Sequence, residues 1–277
     1  MTIVQSSLNS FPRVSVVMGV NRADPFLRSA INSILKQTFT DFEFLIVIDA
    51  RCPALGGEIL EVCGHDPRVR TLEAPSLGGF AYALNMGIGE ARGEFVARMD
   101  GDDISRLDRL EEQVRYLEQN QDVAVVGCRA QLIDEESAKV TRSYPYFRSN
   151  EEIRKVLPFR NPLLHPALTF RKSALLSVGG YKYGHTSEDH EMFIRMARNP
   201  KIKFHNLDKE LYEYRRHNAQ GTGLHRMKVS YVEISGFLFT EFLLTRSPKY
   251  VFGMFVVHPW VRRMRMILRK WRYGSAN

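Results

Sequence analysis

Three short apolar stretches constrain this chain more than anything else in it: VSVVMGV at 14–20, FEFLIVI at 42–48 and EFVARM at 94–99. Each is rich in β-branched or bulky residues and short enough to be a strand buried on both faces. The segments between them carry helical spacing instead. In NRADPFLRSAINSILKQ the apolar positions Leu27, Ala30, Ile31, Ile34 and Leu35 recur three and four apart, Asp24 can cap, and Pro25 suits a first helical turn. A helix around 56–63, a weaker strand at 68–74 and a helix from Phe80 to Ala91 continue the alternation. Strands alternating with helices predict an α/β fold with a mainly parallel, Rossmann-like central sheet and right-handed crossovers.

Further along, RLDRLEEQVRYLEQN (106–120) predicts a long amphipathic helix and VAVVG (123–127) a strand. Residues 134–165 read as polar loop. A strand at 167–171, a helix from Lys172, a turn at VGGY (178–181), a helix entered through SEDHE (187–191) and two strands, KIKFHN and ELYEYRRH, complete this part. Two apolar runs end on acids, at Asp49 and at Asp100–Gly101–Asp102–Asp103. Open parallel sheets bind ligands beyond the carboxyl ends of their strands, so both acidic positions are expected at one edge of the sheet.

Three carboxylates within four residues repel one another unless a cation or donors offset the charge. A solvated turn that caps the next helix is the plain explanation. A site for a hard divalent cation, Mg²⁺ or Mn²⁺, with open positions for phosphate, is the sharper one.

Taken in order, several blocks resemble glycosyltransferase family 2, the inverting nucleotide-sugar enzymes of GT-A fold. They are VSVVMGVNRADPFLRSAINSILKQTFTDFEFLIVIDA, LGGFAYALNMGIGEARGEFVARMDGDD, NPLLHPALTFRKSAL, VGGY, SEDHEMFIR and YEYRRH, covering roughly 12–217. The resemblance implies that Asp100 faces the ribose, Asp102 ligates the metal that bridges the diphosphate, and Asp103 supports the loop. It places Asp49 at the nucleotide base and Asp189, of the Glu188–Asp189 pair, as the base that deprotonates an acceptor hydroxyl. It sets His217 close to the metal or diphosphate. Strand alternation puts Arg215 on the same face as His217. Asn85 in ALNMG is read as positioning the ribose or the diphosphate loop, and His165 in LLHPA as structural. The chain departs from the family pattern at Ile48, at Ala50–Arg51, and at Gly19–Val20–Asn21–Arg22, where a tyrosine that stacks on the base is usual; these departures bear on base preference.

The balance of 39 Lys+Arg against 31 Asp+Glu gives a net charge of +8, compatible with phosphorylated ligands, nucleic acid or an anionic membrane. No nucleic-acid module is recognisable, and no nucleic-acid partner is expected. The first residues lack a basic stretch followed by an apolar core, so no signal peptide is expected. Three scattered cysteines suit a reducing cytosol. Beyond a GT-A domain at 12–222, residues 223–277 read as a helical, basic amphipathic appendage. In 251–273, Trp260, Met264, Ile267 and Trp271 are interleaved with Arg262, Arg263, Arg265, Arg269, Lys270 and Arg272. Such a stretch suits a membrane interface, with about 1 kcal/mol of attraction per basic residue near anionic lipid; packing on a partner subunit is the alternative.

The expected protein is thus an inverting, Mn²⁺- or Mg²⁺-dependent transferase. It would move a sugar from a nucleoside diphosphate sugar, a UDP-sugar in the first instance, to a glycan or lipid-linked glycan, at the inner face of the cytoplasmic membrane, in surface-polysaccharide assembly. A nucleotidyltransferase on a similar sheet and an inactive sugar-nucleotide-binding scaffold subunit are the alternatives.

Overall fold

A computed structural model describes residues 11–75, 78–141, 144–217, 224–261 and 263–264. The first half runs β1 (Val14–Val20), α1 (Leu27–Leu35), β2 (Phe42–Asp49), α2 (Ala54–Cys63), β3 (Val69–Ala74), α3 (Gly79–Glu90), β4 (Phe95–Met99), β5 (Ile104–Ser105), α4 (Arg109–Gln119) and β6 (Val123–Ile133). The second half follows with α5 (Asn150–Val156), β7 (Thr169–Arg171), α6 (Lys172–Val178), α7 (Glu188–Met196), β8 (Lys203–Arg215), α8 (Leu224–Thr245) and α9 (Pro248–Val257). They build one sheet ordered β3-β2-β1-β4-β7-β6-β8-β5. β3, β2, β1 and β4 are parallel, β7 is antiparallel to both its neighbours, and β6 and β8 are again parallel.

Period-two alternation along the strands creates two cores. Val14, Val16 and Met18 pack with Ile31 and Ile34 of α1, Ile59 of α2 and Val114 of α4. Val17, Leu45 and Val96 point the other way, into Leu84 of α3, Leu175 of α6, Phe193 of α7 and Leu238 of α8. Helices therefore cover both faces, which is why the first strands are apolar throughout rather than alternating. Order along the sheet reverses between β1 and β4: β2 and β3 lie to one side of β1, β4 and later strands to the other. Crevices form at such a reversal because the loops leaving the two strands diverge.

Three expectations about elements are revised. The span 134–165 contains α5, capped by a reciprocal pair in which Ser149 Oγ accepts from the Glu152 amide and the Glu152 carboxylate accepts from the Ser149 amide. KIKFHN and ELYEYRRH belong to a single strand, β8, whose polar middle bulges where its register against β6 shifts around Cys128 and Arg129. The helix expected over 251–273 is interrupted: α9 ends at Val257, with His258–Pro259 following, and Arg262 and 265–273 lie outside the described residues. Ile234, Leu238, Tyr250 and Val257 join the second core, so α8 and α9 pack onto the sheet domain. No helix among the described residues is long and apolar enough to cross a membrane.

Candidate active site

A cleft of about 540 Å³ opens at the carboxyl ends of β1 and β4. One side comes from the loop after β1 (Gly19, Val20, Asn21, Arg22, Asp24) and the turn after β4 (Asp100, Gly101, Asp102). Further lining comes from Asn161 and the Leu163–Pro166 segment, then His185, Thr186, Glu188 and Asp189 at the start of α7. Phe80, Tyr144 and Tyr214 complete the lining.

In the acidic turn, carboxylate oxygens of Asp100, Asp102 and Asp103 lie within 4.8 Å of one another. Their environments separate them. Asp103 is fully buried, accepts from the Arg215 amide at 2.7 Å and from the Tyr212 hydroxyl at 3.0 Å, and is pushed well up by burial and by Asp102 and Asp100. Asp100 is paired with the buried Arg98 guanidinium. Burial pushes its carboxyl up, Arg98 pulls it back, and Asp102 adds to the rise. Asp102 Oδ2 meets His217 Nε2 at 2.9 Å. Below the turn a second buried guanidinium, Arg109, donates to the carbonyls of Arg98 and Pro166 and lies over the Tyr212 ring. Two guanidiniums in low dielectric thus offset much of the acidic charge. Asp103 serves the turn's architecture, so Asp103→Ala should strip two buried donors of their acceptor. The expected loss is about 2–4 kcal/mol of stability, read as a lower urea midpoint with an unchanged slope.

In the same cleft, Asp189 sits in the first turn of α7. Its Oδ2 accepts from Asn161 Nδ2 at 2.7 Å and its Oδ1 from the His190 amide at 2.7 Å. Burial, then the charge of Glu188, push its carboxyl up to about 7 against the bonds that favour the anion. An acid–base group with that value is half-ionised near neutrality, where a general base works best. Asn161 is itself fixed, since its Oδ1 accepts from the Leu163 amide, which leaves the amide nitrogen aimed at Asp189.

Asp49, Asn85, Arg215 and His165 are also singled out in the sequence. Asp49 ends β2 but is outside the cleft lining; Arg51 donates to both its carboxylate oxygens, holding it down at about 2. Asn85 spends both ends of its amide on the Tyr181 backbone, accepting from N at 2.9 Å and donating to O at 2.7 Å, so it locks α3 to the VGGY turn. Gly180 there has φ +62°, and a Cβ would lie 2.3 Å from Asn85 Oδ1. Arg215 is buried; its Nε donates to the Asp102 carbonyl, and its Nη1 to the carbonyls of Asp134 and Glu135 and to Ser137 Oγ. It staples the acidic turn and is not among the residues that line the cleft. His165 lines the cleft with its Nε2 on the Tyr181 hydroxyl.

Residues 15–179, more than half of the chain, match the family model described as glycosyl transferase family 2. The chain belongs to that family. An O-antigen biosynthesis glycosyltransferase of Escherichia coli, WbnJ, is 35% identical over 252 residues, which is 87% of this chain and 93% of the relative. A second Escherichia coli relative is a UDP-Gal:α-D-GlcNAc-diphosphoundecaprenol β-1,3-galactosyltransferase. It is 26% identical over 68% of this chain and 69% of its own length. Among solved structures, a mannosyltransferase of Pyrobaculum calidifontis in complex with GDP-Man and Mn²⁺ superposes with a TM-score of 0.64 at 17% identity, over 96% of this chain and 77% of its own. TarS of S. aureus with UDP-GlcNAc gives 0.63 at 18%, over 82% and 66%. At those identities the structural likeness establishes the GT-A fold alone. Family membership makes the chain a glycosyl-transfer enzyme and sets the nucleotidyltransferase reading aside.

Several groups that this family 2 enzyme places at its site escaped the sequence reading. Asn161 is a lone asparagine before a proline; nothing local connects it to Asp189, 28 residues on. Phe26 packs under both the Arg215 guanidinium, at 4.2 Å, and the His217 ring, at 5.4 Å. Tyr144, pushed up to about 12 chiefly by burial, lines the cleft from a stretch read as featureless loop.

Proposed function

We propose that the enzyme transfers a sugar from a UDP-sugar to a hydroxyl of a lipid-linked glycan, with inversion, in surface-polysaccharide assembly. The observation that carries the reading is that Asp102 and Asp189 line one and the same cleft, with Asp189 held up at about 7. The donor set fits a hard divalent cation, Mn²⁺ or Mg²⁺, held by Asp102 and His217 with Asp100 beside them. Such an ion supplies neutralisation of charge on a departing diphosphate. Asp189 takes the proton of the acceptor hydroxyl as that oxygen attacks the anomeric carbon. Attack comes on the face opposite the departing diphosphate, so the configuration inverts. Asp100 faces the ribose, and Asp49 with its Arg51 partner serves the base end, while Arg215 and Asn85 act through the backbone they hold. Support for the donor class is the UDP-galactose named for one relative and the UDP-GlcNAc and GDP-Man named for the structural neighbours. The lipid-linked acceptor is supported by the diphosphoundecaprenol in that relative's name.

Residues 12–222 form the catalytic unit of this reading, and 223–277 hold it at the inner face of the cytoplasmic membrane. Val232, Leu244, Phe252, Phe255 and Trp260 are exposed on α8, α9 and the turn beyond, next to exposed Arg246, Lys249 and Arg263. Apolar side chains ringed by cations suit an anionic lipid surface.

A thermal-shift panel of UDP, GDP, CDP and ADP, each with and without Mn²⁺, tests the donor half. A ligand at 100 times its Kd adds about 2.7 kcal/mol, or roughly 5–10 °C for a chain of this size. The expected result is a shift with UDP that needs Mn²⁺; a metal-independent shift, or none with any diphosphate, overturns it.

A further inference from the structure

Two of the residues that line the cleft with Asp189, His185 and Thr186, belong to the short loop Gly184–Ser187, which enters α7. That loop is held from outside the sheet domain. The His185 amide donates to Glu233 Oε1 at 2.8 Å; the Thr186 amide and hydroxyl donate to Glu233 Oε2 at 3.1 and 3.0 Å. One turn earlier on α8, Ser230 Oγ meets Ser187 Oγ at 2.7 Å. Gly184 opens the loop at φ +98°, where a Cβ would press on the Glu188 amide nitrogen at 3.0 Å. The loop therefore has little slack, and one carboxylate takes three of its donors.

We infer that Glu233 is a positioning residue for the reaction centre: by pinning Gly184–Ser187, the segment that leads directly into Asp189, it holds that carboxylate in its place beside Asn161. The inference rests on the reading of Asp189 as the base. It also gives α8 a double role. Val232, next to Glu233, and Leu243 and Leu244 further along are exposed, so one helix carries both an outward apolar face and the pin on the loop.

The docking of α8 does not depend on this pin. Ile234 and Leu238 are buried in the second core, and the Glu241 carboxylate is paired with Arg198. Loss of Glu233 should therefore act on the loop alone. Asp102, His217 and the acidic turn lie on other elements and keep their contacts.

Titration of the Asp189 carboxyl carbon by NMR in the ligand-free full chain tests this, the signal being assigned by its loss in Asp189→Asn. Glu188, Asp100, Tyr144 and Tyr181 interact electrostatically with Asp189 and are not altered by the substitution; both Glu233 variants lose the same carboxylate charge, so the loop's own contribution is the difference between them. In Glu233→Ala the freed loop lets Asp189 leave its buried place, and the midpoint should fall by about one pH unit from the wild-type value, since desolvation is its main cause. Glu233→Gln keeps the volume and one acceptor oxygen, and should fall by less. Midpoints equal to each other in the two variants overturn the inference. So does failure of both to fold, which would assign Glu233 to global stability. Neither result touches the role of Asp189 as base, which stands or falls on the transfer activity of Asp189→Asn.

Discussion

Asp189→Asn is expected to lower glycosyl transfer by about 10²- to 10⁴-fold, the range that a positioned general base supplies. The substitution is nearly isosteric. It leaves one of the two donors now on the carboxylate, Asn161 Nδ2 or the His190 amide, facing an amide group instead. A small drop in thermal midpoint is tolerable; a collapse would confound the assay, so the midpoint is measured alongside. Nucleotide binding should persist, because the acidic turn and His217 lie on other elements than Asp189, whose side chain bonds to Asn161 and the His190 amide. The expected pattern is thus a UDP-induced thermal shift close to wild type with transfer nearly abolished. Retained transfer would remove Asp189 from the mechanism.

The wild-type pH profile carries the same assignment. In the proposed role the anion is the active form, and burial with Glu188 holds the carboxyl up at about 7. Protonation as pH falls through that value removes the base, so kcat should drop about tenfold per unit below roughly pH 6 and level off above about 8. An ordinary solvated aspartate would keep the enzyme fully active down to about pH 5.

What could be read from the chain alone follows a physical divide. VSVVMGV and FEFLIVI gave away β1 and β2, because strands covered on both faces leave a continuous apolar signature. Asp100 and Asp102 were visible as candidates because strand ends converge on one edge of such a sheet, whereas Asp189 was reached through the resemblance of the SEDHE block to the family. The partners of those residues were not. Whether Arg215 reaches a ligand or staples Asp102, Asp134 and Glu135 depends on a turn some eighty residues away, and no periodicity encodes that. Asn85 looks like a ligand-binding amide in ALNMG; only the tertiary approach of Tyr181 shows both its ends taken. The capping pair Ser149–Glu152 starts a short helix inside a polar stretch, where no apolar repeat marks it. The continuity of β8 was hidden because three successive residues at the bulge, Asp208, Lys209 and Glu210, are charged and exposed.

The second large effect is expected at Asp102. Of the three clustered carboxylates, Asp103 has both oxygens committed to Arg215 and Tyr212, and Asp100 has one committed to Arg98. Asp102 meets an imidazole, which can itself ligate a cation. Asp102→Ala should therefore remove most of the binding capacity for Mn²⁺ and lower transfer by about 10³-fold, equivalent to the several kcal/mol that a metal contributes to charge stabilisation. The fold should tolerate the change. The Asp102 atom that Arg215 Nε uses is the backbone carbonyl, which alanine retains, and the side chain is partly exposed. The thermal midpoint without ligand should stay within a few degrees of wild type, whereas Asp103→Ala melts early. His217→Ala, which leaves Asp102 in place, should weaken Mn²⁺ more mildly. The decisive reading is the Mn²⁺-dependent part of the UDP shift: it should vanish in Asp102→Ala and survive in part in His217→Ala. If Asp102→Ala kept that shift in full, the acidic turn would be a structural cap only, and the cation, with the diphosphate it serves, would have to be sought elsewhere in the cleft.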